Sequence, residues 1–199
     1  PADAVSGKID GGFRILDVES GREKLEFTVY RGDYIVFRFE EGGSYEFTVP
    51  ELDINEEMPK ADSDNPYVKM KNSGTYKFTL GGREGVLNVL ELADANYHEL
   101  TAKEAAALIE NLDPLIIDVR TPGEYDQVHI PGAQLFPVQV FEENIYKLED
   151  YRDKDILLYC ASGNRSTVAA KMLIDAGFSR VYNMRRGIGD WIQNGLPVE

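Results

Sequence analysis

Ile156-Leu157-Leu158-Tyr159-Cys160-Ala161-Ser162-Gly163-Asn164-Arg165-Ser166 is the stretch on which the fold turns. Its first four residues are apolar without alternation, as in a strand buried on both faces of a parallel sheet. A short loop with one glycine follows. Ser166 to Ala176 then reads as a helix, with Gly177 placed to cap its C-terminus. This order puts Cys160 beyond the carboxyl end of a strand, where parallel α/β sheets bind ligands. It also faces a helix N-terminus, whose free N–H groups and macrodipole favour negative charge. A cysteine so placed is expected to have a depressed pKa and to be partly or wholly thiolate at neutral pH. Gly163 lets consecutive N–H groups turn inward as an anion nest, and Arg165 adds a planar fork of donors suited to sulfonate or phosphate oxygens. A small buried hydrophobe at a strand end is the competing reading, and it requires neither the glycine nor the arginine.

The surrounding sequence continues the α/β pattern. Thr101-Ala102-Lys103-Glu104 is a capping box opening a helix with Ala105, Leu108 and Ile109 on one side. Leu115 to Val119 is a second unalternating apolar run. Thr121-Pro122-Gly123-Glu124 starts another helix with proline at its first position. Phe141 to Leu148 reads as a helix, Val181 to Asn183 as a short strand, and a last helix surrounds Trp191, a core residue. Strands alternating with helices imply a parallel sheet.

Residues 1–96 read differently. Leu25, Phe27 and Val29 alternate with polar neighbours, as do Tyr45, Phe47 and Val49, and Tyr76, Phe78 and Leu80. Tyr34 to Phe39 and Val86 to Leu92 are further strands. Turn signals such as Arg31-Gly32-Asp33 and Asn72-Ser73-Gly74 separate them, so about seven strands forming an all-β sandwich are expected. Asn55 to Pro66, rich in acidic residues and proline, reads as a solvated loop; it lacks EF-hand spacing for calcium. The boundary falls near residues 94–100, giving domains of residues 1–96 and 97–199.

Composition excludes several functions. The 199 residues carry 21 basic and 35 acidic side chains, a formal charge of −14, which argues against nucleic acid and anionic membrane as partners. Residues 1–96 hold 11 basic and 19 acidic groups, and residues 97–199 hold 10 and 16, so neither half is a dedicated basic surface. No run approaches the ~20 apolar residues of a membrane span. One cysteine permits no intramolecular disulfide and no four-cysteine zinc site. The start, Pro1-Ala2-Asp3-Ala4, fits either removal of a signal peptide or trimming.

Cys160 to Arg165 followed by Ser166 resembles the active-site loop of the rhodanese (sulfurtransferase) family. Asp118-Val119-Arg120 with Glu124-Tyr125, then His129-Ile130-Pro131-Gly132-Ala133, then Val181-Tyr182-Asn183-Met184 with Gly187-Ile188 and Trp191, are similar to further family motifs in the same order. The resemblance covers residues ~97–199. It implies sulfur transfer through a Cys160 persulfide by double displacement, from thiosulfate or a persulfide donor to a thiol or cyanide acceptor, with no metal and no organic cofactor. Four residues separate Cys160 from Arg165, where related cysteine phosphatases have five, which favours sulfur over phosphate or arsenate. Ala161 stands where thiosulfate-preferring members often carry a basic residue. Arg185-Arg186 stands where the closing motif has a glycine.

The loop Ala161, Ser162, Gly163, Asn164 and Arg165 is the expected anion cradle, with Arg165 holding donor oxygens. Arg186 is either an anion-attracting residue at the pocket mouth or half of a solvated arginine pair. Asp118 and Arg120 form either a structural brace or, through Arg120, an anion contact. His129 and Ser166 are structural neighbours of the site, and Glu124 and Asp126 are helix-start charges. A non-catalytic binding or redox-sensing module is the alternative to an enzyme.

Val29-Tyr30-Arg31-Gly32-Asp33, Tyr45 to Leu52 and Gly74 to Phe78 are similar to cupredoxin-like domains; an immunoglobulin-like sandwich is the alternative. Blue copper needs two histidines and a cysteine. Residues 1–96 contain neither, and Leu80 occupies the place of the ligand cysteine. A copper-free packing or recognition module, presenting a protein partner to the second domain, is therefore expected. The cupredoxin likeness and the absent initiator Met point to a periplasmic or otherwise extracytoplasmic location, with the cytoplasm as alternative.

Overall fold

The computed structural model describes residues 5–59 and 67–199. The chain divides into two units, Pro1–Glu91 and Leu92–Glu199.

The first unit is built of strands. In chain order these are β1 (Lys8–Asp10), β2 (Phe13–Val18), β3 (Leu25–Tyr30), β4 (Tyr34–Phe39), β5 (Tyr45–Val49), β6 (Ile54–Met58), β7 (Val68–Lys69), β8 (Gly74–Leu80) and β9 (Arg83–Leu90). They form two mixed sheets, ordered β1-β2-β4-β7 and β3-β9-β8-β5-β6. The period of two turns one face of each strand inward. Leu16, Val18, Ile35 and Phe37 from the first sheet meet Phe27, Phe47, Val49, Phe78 and Leu87 from the second in one apolar cluster. Phe47 packs its ring against Phe37 and Phe78, with centroids 4.9 and 5.5 Å apart. Removing such a ring from a core costs about 3–5 kcal/mol.

Nine strands stand among the described residues where about seven are expected: β1 and β7 are only three and two residues long, β6 is too charged to show alternation, and β2, whose burial does alternate, is not among the strands read from the sequence. Asn55 to Met58, assigned to a loop by its charges, lies in β6 and pairs antiparallel with β5. Only Met58 is fully buried in that strand, so carboxylates on an edge strand hide the pattern. The rest of the acidic stretch, residues 60–66, lies outside the described residues.

The second unit holds five parallel strands in the order β10-β14-β13-β11-β12: β10 (Tyr97–Leu100), β11 (Leu115–Asp118), β12 (Gln134–Leu135), β13 (Ile156–Tyr159) and β14 (Val181–Met184). Its helices are α1 (Ala102–Leu112), α2 (Pro122–Gln127), α3 (Phe141–Asn144), α4 (Asn164–Asp175) and α5 (Gly187–Gln193). β11 and β13 are buried at every position, which their unalternating sequences require. Ile116, Leu157, Tyr159 and Met184 point to one face and pack with Ala102 and Ala105 of α1 and Ile188 and Trp191 of α5. Residues between them in sequence, including Asn183, point to the opposite face, where α4 lies against β13 and β14. The Thr101–Glu104 capping box is formed, and Thr121 and Glu124 form a second. Gly177 takes φ 88° just beyond α4. The helix expected over Phe141–Leu148 is one α turn, α3, continued as a 3-10 helix over Ile145–Tyr151. No helix of the described residues is long and apolar enough to cross a membrane.

Candidate active site

Cys160 lies in the turn between β13 and α4, and its side chain is fully buried. Gly163 is the N-cap of α4, at φ 94°. Its N–H donates to Cys160 Sγ at 3.0 Å. Ser166 Oγ stands 3.6 Å from the same sulfur and 3.1 Å from the Gly163 carbonyl, so its single hydrogen serves one acceptor at a time. The first N–H groups of α4 have no acceptor inside the helix and open on the same loop. Ala161 and Ser162 are exposed over the buried sulfur.

Two glycines let this loop pass close to the turn between β14 and α5. A Cβ on Gly163 would lie 1.5 Å from the Arg185 carbonyl oxygen, and one on Gly187 would lie 2.2 Å from the Cys160 carbonyl oxygen. Both contacts are with backbone, which cannot swing aside, and both residues have positive φ. Ile188 N donates to the Cys160 carbonyl at 2.8 Å, completing the clamp.

The charged residues near this loop are largely committed to one another. Arg165 is not a free fork: its Nη1 and Nη2 donate to Glu124 Oε2 and Oε1 at 2.8 and 2.7 Å. Glu124, expected only as a helix-start charge, therefore ties α2 to the cysteine loop while also closing the Thr121 capping box at 3.0 Å. The Arg165 hydrogen bonds, helped by the Thr121 N–H and opposed by partial burial, hold the Glu124 carboxyl down at about 2. Arg120 is bonded within the protein. It is 4% exposed, its Nε and Nη2 donate to Asp118, and Nη2 also donates to the Val128 carbonyl at 2.6 Å. The guanidinium stacks over Tyr159, 5.6 Å from the ring centroid. Burial, with the Asp118 charge beside it, pushes the Tyr159 phenol well above its ordinary range.

Arg186 is exposed at the N-cap of α5 and has no charged partner among the described residues. His129 stacks on Tyr125 at 3.9 Å, with Nδ1 3.0 Å from the Tyr125 carbonyl and Nε2 3.5 Å from Glu199. Asp126 is exposed on α2. Trp191 is buried and donates from Nε1 to the Pro197 carbonyl at 2.8 Å. Among the described residues, no group of three or more His, Cys, Asp or Glu side chains is arranged to hold a metal ion. Two sets of polar residues escaped the sequence reading. One is the Glu124–Arg165 pair. The other is Tyr97, Thr167 and Asn183, buried behind the loop. An asparagine inside the otherwise apolar Val181–Met184 strand was the available signal, since buried polar side chains are rare and partnered.

A parallel α/β domain that presents one cysteine to a backbone donor at a helix N-terminus defines the class: an α/β domain with a cysteine loop between strand and helix. The family model of the rhodanese-like domain matches residues 101–194. A sulfurtransferase from Allochromatium vinosum is 37% identical over 91 residues, covering 46% of this chain and 83% of the relative. The uncharacterized protein YibN of Escherichia coli is 30% identical over 100 residues, covering 50% and 70%. A tRNA uridine(34) hydroxylase from Enterobacter is 31% identical over 107 residues, covering 50% of this chain and 31% of that protein. The chain belongs to the rhodanese family through its second unit, and with it to the sulfurtransferase superfamily.

The Glu124–Arg165 pair generates a pH-dependent prediction. A carboxyl held below its ordinary 4.5 contributes fully above that pH and loses its contribution as pH falls through about 2. Glu124→Gln is expected to cost about 1 kcal/mol at neutral pH, given the partial exposure of the pair. In thermal melts the gap to wild type should close as the pH is lowered toward about 2. A gap that is independent of pH would show that the pair does not hold α2 to the loop.

Proposed function

We propose that residues 97–199 form a sulfurtransferase domain in which Cys160 carries sulfane sulfur as a persulfide. The observation that supports this most directly is the Gly163 N–H aimed at Cys160 Sγ, 3.0 Å away, at the mouth of α4. In the first step the Cys160 thiolate attacks the outer sulfur of thiosulfate or of a persulfide. The donor S–S bond breaks, and sulfite or a thiolate leaves with the electron pair. In the second step a thiol or cyanide attacks the outer sulfur of the Cys160 persulfide and regenerates the thiolate. This is covalent catalysis with ping-pong kinetics. The loop N–H groups from Ala161 to Arg165 stabilise charge on the terminal sulfur. No cofactor enters the scheme. The burial of Cys160 suits a reaction in which one terminal sulfur atom, rather than a bulky group, is delivered.

Intact mass tests this reading. After incubation with thiosulfate or polysulfide, wild type should gain one sulfur atom, reversed by cyanide, and Cys160→Ser should gain none. Absence of gain with both donors would overturn sulfur transfer in favour of a binding or redox-sensing module.

Arg186 is proposed to attract the donor at the pocket mouth, because Arg165 and Arg120 are engaged elsewhere. Arg186→Ala is expected to raise the donor KM by roughly 3-fold to 10-fold with kcat little changed, about the worth of an exposed charge contact. An unchanged KM would assign Arg186 to solvent.

For residues 1–96 we propose a copper-free, cupredoxin-like sandwich acting as a recognition module for a protein partner. Two sheets sharing one core support the architecture, and the absence of His and Cys supports the lack of copper. Comparing the full chain with residues 97–199 alone should show a change in partner binding or donor preference. Identical stability, donor preference and partner binding in the two would remove the module's proposed role.

A further inference from the structure

Behind the cysteine loop runs an unbroken line of hydrogen bonds, buried except at its part-buried Glu99 end. The Tyr97 hydroxyl donates to Glu99 Oε1 at 3.0 Å. Asn183 Nδ2 donates to the Tyr97 oxygen at 3.1 Å and to Thr167 Oγ1 at 3.0 Å. Thr167 Oγ1 donates to the Gly163 carbonyl at 2.8 Å. The line joins β10, β14 and α4 to the N-cap of α4, and Asn183 and Thr167 are both buried.

Its direction is set at the Glu99 end. A carboxylate only accepts, so Tyr97 gives its one hydrogen to Glu99 and its oxygen receives from Asn183. Both Asn183 amide hydrogens are then directed outward, and Thr167 is left with the Gly163 carbonyl as the target of its hydrogen. This arrangement leaves Asn183 Oδ1 buried with no hydrogen-bond partner. A bare buried acceptor is unfavourable by itself. The orientation persists because the amide face that donates is the one that Tyr97 and Thr167 need.

The far end of the line meets the reaction. A trans peptide is planar, so its C=O and N–H point in opposite directions. Holding the Gly163 oxygen inward, toward Thr167, holds the Asn164 N–H outward on the loop side. The Gly163 N–H, in the preceding peptide and joined to that carbonyl through the same residue, meets Cys160 Sγ. Arg185, whose carbonyl crowds Gly163, pairs through Nη1 with the second oxygen of Glu99 at 3.0 Å, so both ends of the line close on the same turn.

We propose that Asn183 is a positioning residue for the chemistry of Cys160: through Thr167 it fixes the Gly163 carbonyl, and with it the N-cap residue whose own N–H faces the sulfur. Its kinetic consequence rests on the sulfur-transfer reading; its structural consequence does not.

The test uses the full chain with Asn183→Ala, Thr167→Val and Thr167→Ser. One arm measures kcat and KM for sulfur loading from thiosulfate and from polysulfide. The other follows amide hydrogen exchange at Gly163, with Leu157 and Leu158 of β13 as internal controls. Asn183→Ala and Thr167→Val should each lower kcat about tenfold, with KM within about twofold, and speed Gly163 exchange about tenfold while the controls hold. Thr167→Ser, which keeps the hydroxyl, should restore both. Unaltered Gly163 exchange in the first two variants would overturn the proposal. So would a serine variant as impaired as the valine one, since methyl packing would then be the cause. Should wild type load no sulfur, the sulfur-transfer reading falls and the exchange arm alone decides. Should Asn183→Ala not fold, the Thr167 pair decides.

Discussion

Gly163 donates its amide hydrogen to Cys160 Sγ across 3.0 Å, and much of the second unit serves to keep that peptide in place. The parallel sheet supplies the strand end, α4 supplies the N-terminal donors, and the β14–α5 turn presses against the loop so closely that only glycine fits at 163 and 187. A backbone N–H is a useful partner for sulfur because its direction is fixed by the chain. A lysine could present more charge, but it would bring the freedom of four side-chain torsions and a proton to lose. Donors that are already oriented need no reorganisation when charge builds up on the sulfur.

The arginines of the site divide along the same line. Arg120 and Arg165 carry full charges, yet each is bonded to a carboxylate: Asp118 beneath the sheet end and Glu124 across the loop. Removing one partner of the Arg120–Asp118 pair would leave an uncompensated charge in the interior, at a cost of about 3–5 kcal/mol. These bonds tie the segment after β11 to its own strand end, and the start of α2 to the cysteine loop. On the proposed reading, what remains for a substrate is the field of the peptide dipoles together with the exposed Arg186, within a chain of net charge −14. Such a site selects by fit to a narrow cradle more than by long-range attraction of anions.

The sequence was most legible where a signal is local. Leu115–Val119 and Ile156–Tyr159 are unalternating because both faces are covered, and the Thr101 and Thr121 helix starts are written in four residues each. Cys160, Gly163 and the start of α4 are contiguous, so the loop of the candidate site could be read directly. Signals failed where geometry is made through space. Glu124 and Arg165 are 41 positions apart, and nothing in either stretch announces the pair. Asn183 meets Tyr97 across 86 positions. β6 failed for another reason: as an edge strand it carries glutamates where a central strand would carry β-branched residues, so its composition resembles that of a loop. The two-residue strands β7 and β12 are too short for any period to register.

The single cysteine adds a constraint on what the chemistry must do next. Within residues 1–199 no second thiol exists to attack a Cys160 persulfide and release its sulfur by forming an intramolecular disulfide. On the proposed sulfur-transfer reading, discharge comes from an acceptor outside residues 1–199, one able to reach a sulfur that is fully buried in the empty state. The terminal sulfur of a persulfide stands one bond farther out than Sγ, roughly 2 Å by the length of an S–S bond. In the proposed cycle, loading therefore places the reactive atom one bond beyond the fully buried Sγ. In the proposed cycle the sulfur of Cys160 is shielded while empty, and the sulfur it carries becomes the accessible electrophile once loaded. A buried nucleophile and an external acceptor are thus compatible halves of one cycle, provided that the loop keeps its N–H groups on the sulfur in both states.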